Sequence, residues 1–259
     1  MDIVHHNSGA WDQQSKQGSR WSQPVTSKEI EAARNGEWNV ILTPNKNVPH
    51  CWFDSLPGKN LLGLASGGGQ QIPILSAAGA RVTSFDNSQE QLDKDQNVAQ
   101  QNSLEIKCIR GDMANLSVFA DNHFDIIFHP VSNVFVQDLR PVWQECFRVL
   151  KNGGRLLSGF MNPSFFLFDH SHADKTGELK VRFRLPFSDI DDLSEQEVQS
   201  LVDKNVPLEF GHTLEQQIGG QLQAGFLLKD FYEDDWDDES TPLNKYTTTT
   251  IATLAIKLL

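Results

Sequence analysis

The 259-residue sequence contains no run of eighteen or more apolar residues, so none of its helices is expected to span a bilayer. Its opening residues, MDIVHHNSGAWDQQ, lack the basic-then-apolar order of a secretory signal. Positive charge is scarce as well. Twenty-two Lys and Arg face 34 Asp and Glu, a formal charge of −12; DFYEDDWDDE (Asp230 to Glu239) holds seven of those acids and no base, which leaves −5 elsewhere. Such a chain has no footprint for tracking phosphates, so nucleic acid is not expected as its partner. Three widely spaced cysteines, Cys51, Cys108 and Cys146, match neither a disulfide framework nor a zinc spacing. They read as buried, reduced thiols of a cytoplasmic protein. Asp169-His170-Ser171-His172 has no cysteine near it and reads as a solvated loop, so no metal site is expected. Internal repeats and Gly/Ser-rich linkers are absent too. What the chain does have is sixteen Phe and six Trp within a 39% hydrophobic composition, ample for a core.

Residues 1–57 form an N-terminal cap segment, polar and punctuated by Trp11, Trp21, Trp38 and Trp52, with Pro24, Pro44, Pro49 and Pro57 preventing a long helix. One short helix is expected at SKEIEAARNG, capped by Ser27 and stopped by Gly36. Residues 58–259 read as one domain. NLLGLA, RVTSFD, IKCIRGD, FDIIFH and RLLSGF are five strands, with a helix at QIPILSAAGA, a second opened by Ser88-x-x-Gln91, and a third at LRPVWQECFRVL. That third helix places Leu139, Val142, Trp143, Cys146 and Val149 on one face. Strands separated by such helices imply right-handed crossovers and a mainly parallel sheet. Residues 162–211 break the rhythm and read as a lid insertion. Within it LKVRFRLPF alternates strictly, predicting a half-exposed strand with Lys180, Arg182 and Arg184 on its solvated face. Thr213 then caps a helix over TLEQQIGGQLQAG, and GFLLKDFY and TTTTIATLAIKLL supply the sixth and final strands. The acidic run at 230–239 reads as a solvated edge or flexible loop.

Three features carry chemistry. GLASGGGQQ is a glycine-rich turn from strand to helix, where backbone N–H groups can approach a ligand. Asp86 ends the second strand at an open edge, where a carboxylate stays partly solvated. It suits either both hydroxyls of an adenosine ribose or the start of the next helix. Gly111-Asp112-Met113 ends the third strand, placing an acceptor for an adenine amino group beside a side chain that can pack on the ring. All three lie at the carboxyl ends of successive parallel strands, where open α/β sheets bind ligands. The glycine loop and Asp86 would also suit a nicotinamide dinucleotide, although the third glycine of that fingerprint falls on Gln70.

GLASGGGQQ, VTSFDNSQEQL, IRGDMANL, FDIIFHP and ECFRVLKNGGRLLSGF resemble, in order and spacing, the motifs of class I S-adenosylmethionine-dependent methyltransferases, and RVLKNGGRLL is similar to the small-molecule members. The resemblance implies a Rossmann-like, doubly wound α/β fold, its seven-stranded sheet mainly parallel with an antiparallel last strand. It implies S-adenosyl-L-methionine as cofactor and a small molecule as methyl acceptor. By the same resemblance Ala65, Ser66, Gly67, Gly68, Gly69 and Gln70 surround the methionine part, and Asp86 holds the ribose beside Asn87 and Ser88. Gly111, Asp112 and Met113 frame adenine, and His129 and Pro130 face the reactive sulfur. His129 is the first candidate for a catalytic base or acceptor contact and His212 the second. Two departures stand out. The family's acidic residue at the end of the first strand is Gly63, for which Gln70, Gln71 or Asp12 would have to substitute. The first loop glycine is Ala65, sterically mild if its φ stays negative. Loss of that acid keeps a non-catalytic cofactor-binding protein as an alternative, beside a nicotinamide-dependent oxidoreductase. A lid is expected from Trp11 and Trp21, with Trp21 nearest the methionine end, and from Phe165 and Phe166 on the acceptor side.

Overall fold

The computed structural model describes residues 1–236 and 240–258. Its strands are β1 (Asn60–Leu64), β2 (Arg81–Asp86), β3 (Ile106–Arg110), β4 (Phe124–His129), β5 (Leu150–Met161), β6 (Phe187–Ser188), β7 (Phe210–Gly211), β8 (Phe226–Asp234) and β9 (Thr250–Lys257). Seven form one sheet in the order β3-β2-β1-β4-β5-β9-β8, while β6 and β7 make a separate pair. Strands β1 to β5 run parallel, and β9 is antiparallel to both β5 and β8. The order of strand addition reverses between β1 and β4, a switch that opens a crevice at the carboxyl ends of these strands.

Helices α1 (Ile3–Lys16), α2 (Ser27–Arg34), α3 (Gln71–Ala77), α4 (Gln89–Gln101), α5 (Leu139–Val149), α6 (His170–Thr176), α7 (Asp189–Asp192), α8 (Glu195–Asp203) and α9 (Gly220–Ala224) cover the two faces and the crevice. One face of the sheet packs Phe128 and Leu157 on Trp52, Phe53, Ile72 and Leu75, with α2 and α3. The other packs Leu62, Leu64 and Leu156 on α5. The periodicity of α5 predicts its buried face, and Leu139, Val142, Trp143, Cys146 and Val149 are all buried. Each such side chain contributes about 1.5–3 kcal/mol of burial. Trp143 also donates its indole N–H to Gln216 O at 3.0 Å, which satisfies the polar edge of a fully buried ring.

Several local expectations are corrected. The strand over 179–187 is absent. Val181 makes a single bridge to Phe168, and Pro186, which has no N–H to give a ladder, precedes the two-residue β6. The alternation survives as burial: Phe183, Leu185 and Phe187 face an apolar cluster, while Arg182 is held by Glu197 at 2.8 Å. Thr26, not Ser27, caps α2, in a reciprocal box with Glu29. The helix after Thr213 begins with a π-turn over 215–219 before α9. Cys51 is exposed, so only Cys146 is a fully buried thiol. Ala65 takes φ +48°, the left-handed region, because the chain must turn sharply after its N–H closes the ladder on Phe85 O at 2.7 Å. Helix α1 has no counterpart in the sequence reading; the face it buries consists of Asn7, Ser8, Ala10 and Ser15, which gives no apolar period.

The acidic run is also not simply solvated, though Asp237, Asp238 and Glu239 lie outside the described residues. Asp230 accepts from Trp52 Nε1 at 2.9 Å. Asp234 is buried, and its Oδ2 accepts from Thr43 Oγ1, Asn45 N and Lys46 N, each at 2.8 Å. These two carboxylates therefore pin the N-terminal segment to the sheet edge. Asp234→Ala should lower the unfolding free energy by about 2–4 kcal/mol, since it strands buried donors. Glu233→Ala, an exposed neighbour, should change it by less than about 0.5 kcal/mol. Urea unfolding of the two variants checks this, and equal effects would contradict it.

Candidate functional site

The carboxyl ends of β1, β2 and β4 open into a cavity of about 480 Å³. Ala65, Ser66, Gly67, Asp86, Asn87, Gln91 and Met113 line its sheet side. Trp11, Trp21, Thr43 and Pro44 from the N-terminal segment, Phe165, Val206, Pro207 and Glu209 from the insertion, and Trp236 line the cover. A larger hollow of about 830 Å³ lies at the opposite edge of the sheet, between Arg81, Gln100 and Lys107. Parallel sheets place ligand chemistry at the other end.

The glycine loop is held from within. Gly67 N–H donates to Asp86 Oδ2 at 3.0 Å, Gly68 N–H to Gln91 O at 3.0 Å, and Gly69 N–H to Asp95 Oδ1 at 2.7 Å. Three consecutive donors are thus consumed, two of them by carboxylates. A pyrophosphate needs such donors free and no carboxylate behind them, so the loop is not a dinucleotide cradle. Gly68 (φ +123°) is also where the cap touches the loop: a Cβ there would lie 2.6 Å from Trp21 O. Gly63 is tightly packed: a Cβ there would lie 2.1 Å from Ile72 Cδ1 and 2.8 Å from Ser66 Oγ. A carboxylate in its place would require the Ile72 and Ser66 side chains to move.

Asp86 is buried rather than partly solvated. Its Oδ1 accepts from Ser88 N at 3.0 Å, so it serves both the helix start and the loop while its remaining lone pairs face the cavity. Burial raises its pKa against the hydrogen bonds from Ser88 and Gly67. Asn87 lines the cavity; Ser88 lies behind it, fully buried. Met113 lines the cavity as well, whereas Gly111 and Asp112 do not, and Asp112 Oδ1 accepts from Ala114 N at 3.0 Å. Gly68 and Gly69 stand behind the wall; Gln70 and Gln71 are in it, Gln71 already accepting from Ile41 N. Asp12 is outside it, accepting from Ser88 Oγ at 2.6 Å. Two polar atoms in the wall, Ser66 Oγ and Gln91 Oε1, are buried with no partner among the described residues.

The histidines are placed differently from expectation. Pro130 lines the cavity but His129 does not; its ring is fully buried, with Nδ1 2.9 Å from Leu64 O and Nε2 2.6 Å from Asn133 Oδ1. Both nitrogens are engaged behind the wall, and burial lowers the ring's pKa. His212 is likewise buried, its Nε2 2.8 Å from Val136 O. The ring of His170 stacks on Phe165. No cluster of three or more metal-ligating side chains occurs among the described residues. Trp11, Trp21 and Phe165 face the cavity, whereas Phe166 is buried against Phe187.

A family model described as a methyltransferase domain matches residues 62–158. The chain is also 47% identical over 256 residues to the uncharacterized methyltransferase YbaJ of Bacillus subtilis (strain 168), covering 99% of each protein. The chain belongs to the S-adenosylmethionine-dependent methyltransferases. A sterol 24-C-methyltransferase of Gibberella zeae is 31% identical over 100 residues, which is 38% of this chain and 26% of that one. Among solved structures, an S-adenosylmethionine-dependent methyltransferase from Mesorhizobium loti superposes with a TM-score of 0.58 at 14% identity, covering 80% of this chain and 94% of that one, a likeness of fold.

Two acids of this methyltransferase escaped the sequence reading. Asp95, fully buried on α4, receives Ser84 Oγ at 2.6 Å as well as Gly69 N. Its signal was a carboxylate on the buried face shared with Leu92, Val98 and Ala99. Glu209, between the buried Leu208 and Phe210, had no such signal. Burial pushes both up to about 7. A carboxylate whose folded pKa exceeds its unfolded value binds more protons folded than unfolded between the two, so it removes stability as pH rises through that window. The buried neutral rings of His129 and His212 act in the opposite sense below about pH 6.5. The contribution of Asp95 is therefore best read as a difference. Asp95→Asn keeps an acceptor for Gly69, and its Tm relative to the parent should climb from about pH 4 to about pH 7 and then level. A difference independent of pH would contradict the buried ionisation.

Proposed function

We propose that the cavity holds S-adenosylmethionine along its sheet side and a small methyl acceptor under its cover. One observation carries this reading: the only charged side chains lining the cavity, among the described residues, are the carboxylates Asp86 and Glu209. A lining with no cation repels phosphates, and the sheet-side acid Asp86 keeps the cofactor side negative, which suits a sulfonium-bearing ligand. The residues fit the cofactor piece by piece. Asp86 has lone pairs left for two ribose hydroxyls, and Met113 with Ala65 offers an apolar surface for adenine. The buried, unpartnered Ser66 Oγ and Gln91 Oε1 are acceptors that a side-chain rotation would bring to the methionine amino group, in place of the acid absent at Gly63. Asn87, Gln70 and Trp21 complete that side, and Pro130 stands at the acceptor boundary.

S-adenosylmethionine, when bound, supplies an electrophilic methyl group. The remaining work is positioning and exclusion of water. Trp21 and Trp236 meet edge to face at 5.6 Å, and Trp11 meets Phe135 at 5.2 Å, so the cover is aromatic at both ends. We assign His129 and His212 to scaffolding rather than proton transfer, because both nitrogens of His129 and Nε2 of His212 are committed to protein oxygens and neither ring lines the cavity. A cytoplasmic enzyme acting on a small molecule is supported by the enclosed site and the free thiols. No described helix is long and apolar enough to cross a membrane.

Calorimetric titration with S-adenosylhomocysteine tests the cofactor side. Asp86→Ala should weaken binding by about 1.5–3 kcal/mol and also lower Tm, since Gly67 and Ser88 lose their acceptor. Unchanged affinity would remove Asp86 from the site. Removal of residues 1–26 should abolish methyl transfer, and full activity in that truncated protein would remove the cover from the account.

A further inference from the structure

Glu209 is a carboxylate without a counterpart. Its backbone is fixed to Asp189, N–H to Asp189 Oδ2 at 2.7 Å and O from Asp189 N at 3.1 Å, just ahead of the β6–β7 pair. Its side chain lines the cavity, yet it makes no hydrogen bond or ion pair among the described residues. The charge that acts on it is Asp189, which is of the same sign. The other titratable groups on the neighbouring elements do not answer it: His6 Nε2 is spent on Val206 O at 2.9 Å, and His212 on Val136 O. Half-buried in the cavity wall and facing a like charge, this carboxylate is stabilised by a cationic ligand.

The sheet side of the cavity has its own acid in Asp86. Glu209 enters from the insertion, beside Val206 and Pro207, whose segment is stapled to α1: Asn7 Oδ1 accepts from Leu208 N at 2.8 Å, and Asn7 Nδ2 donates to Leu208 O and Phe135 O. The same cavity is lined by Trp11, Phe135 and Phe165, aromatic faces suited to a cation.

We propose that Glu209 selects a small amine as the methyl acceptor, binding its ammonium group and taking its proton. This rests on the placement of the cofactor argued above. The ammonium nitrogen gives its proton to a Glu209 carboxylate oxygen. The freed lone pair then bonds to the methyl carbon as the carbon–sulfur bond breaks, its electron pair going to sulfur. The N-methylated product leaves as an ammonium ion, and Glu209 returns its proton to water at the mouth of the cavity. With its pKa near 7, Glu209 is charged at pH 8 and able to accept that proton.

The test uses the full chain saturated with S-adenosylhomocysteine. The probes are 2-phenylethylamine, tyramine and tryptamine, each paired with the alcohol that replaces its amine, titrated by calorimetry at pH 8. At least one amine should bind about tenfold more tightly than its alcohol, and Glu209→Gln should erase that preference while leaving affinity for S-adenosylhomocysteine unchanged. Glu209→Asp should restore part of it. Absence of any amine preference, or one that survives Glu209→Gln, overturns the proposal. So does a Glu209→Gln variant that loses affinity for S-adenosylmethionine but not for its thioether product, since the charge would then serve the donor. Failure of the parent protein to bind either cofactor form would instead overturn the cofactor placement, so the two outcomes are distinct.

Discussion

Everything around the cavity depends on where three backbone N–H groups point. Gly67, Gly68 and Gly69 donate to Asp86, Gln91 O and Asp95. These bonds tie the β1–α3 turn to the end of β2 and to the first turns of α4. Two of the three are accepted by carboxyl oxygens, each worth about 1.5–3 kcal/mol when that carboxyl is ionised. A loop committed this way keeps its shape before any ligand arrives and offers a smooth surface rather than a nest of free donors. It therefore favours a cofactor held by its ribose and its apolar ring over one held by phosphates. The left-handed Ala65 is part of the same turn, at a cost of about 1–2 kcal/mol that the loop's hydrogen bonds offset.

The cover is joined by a different kind of contact. Where the sheet packs on its helices through Trp, Phe and Leu, α1 meets the insertion through Asn7, His6 and Asn205. It meets the ends of β2 and α4 through Ser8, Asp12 and Lys94, hydrogen-bonded to Asn87 O, Ser88 and Ser15 O. Each neutral hydrogen bond is worth about 1 kcal/mol net, far less than a buried aromatic side chain. A polar seam can part for substrate without exposing the core, and still hold the aromatic rings over the site when closed. The N-terminal segment is anchored firmly only farther along, at Asp230 and Asp234.

Periodicity made the sheet and its crossovers legible. Buried strands such as NLLGLA and the one-sided face of α5 leave a pattern in any single sequence, because burial along a regular element repeats. Asp86, Met113, Pro130 and the glycine loop were legible because strand ends in an open parallel sheet have a fixed relation to the crevice. What failed follows from the same reasoning. Helix α1 buries polar side chains, so no apolar stripe announces it. His129 sits at the end of β4 with its ring turned inward to Leu64 O, a rotamer that sequence position does not determine. The 179–187 segment alternates correctly yet lacks a partner strand, and Pro186 removes a donor. Asp95 left a trace, a carboxylate on an apolar helix face. Glu209 left none, because the cavity it lines is assembled from stretches scattered between Trp11 and Trp236.

Residue-resolved amide hydrogen exchange of the cofactor-free protein addresses the central arrangement most directly. If the loop is held from within, the Gly67, Gly68 and Gly69 amides exchange slowly with no ligand present, and Asp95→Ala releases Gly69 selectively. Amides that exchange at unprotected rates until an anionic ligand such as pyrophosphate is added would contradict the account.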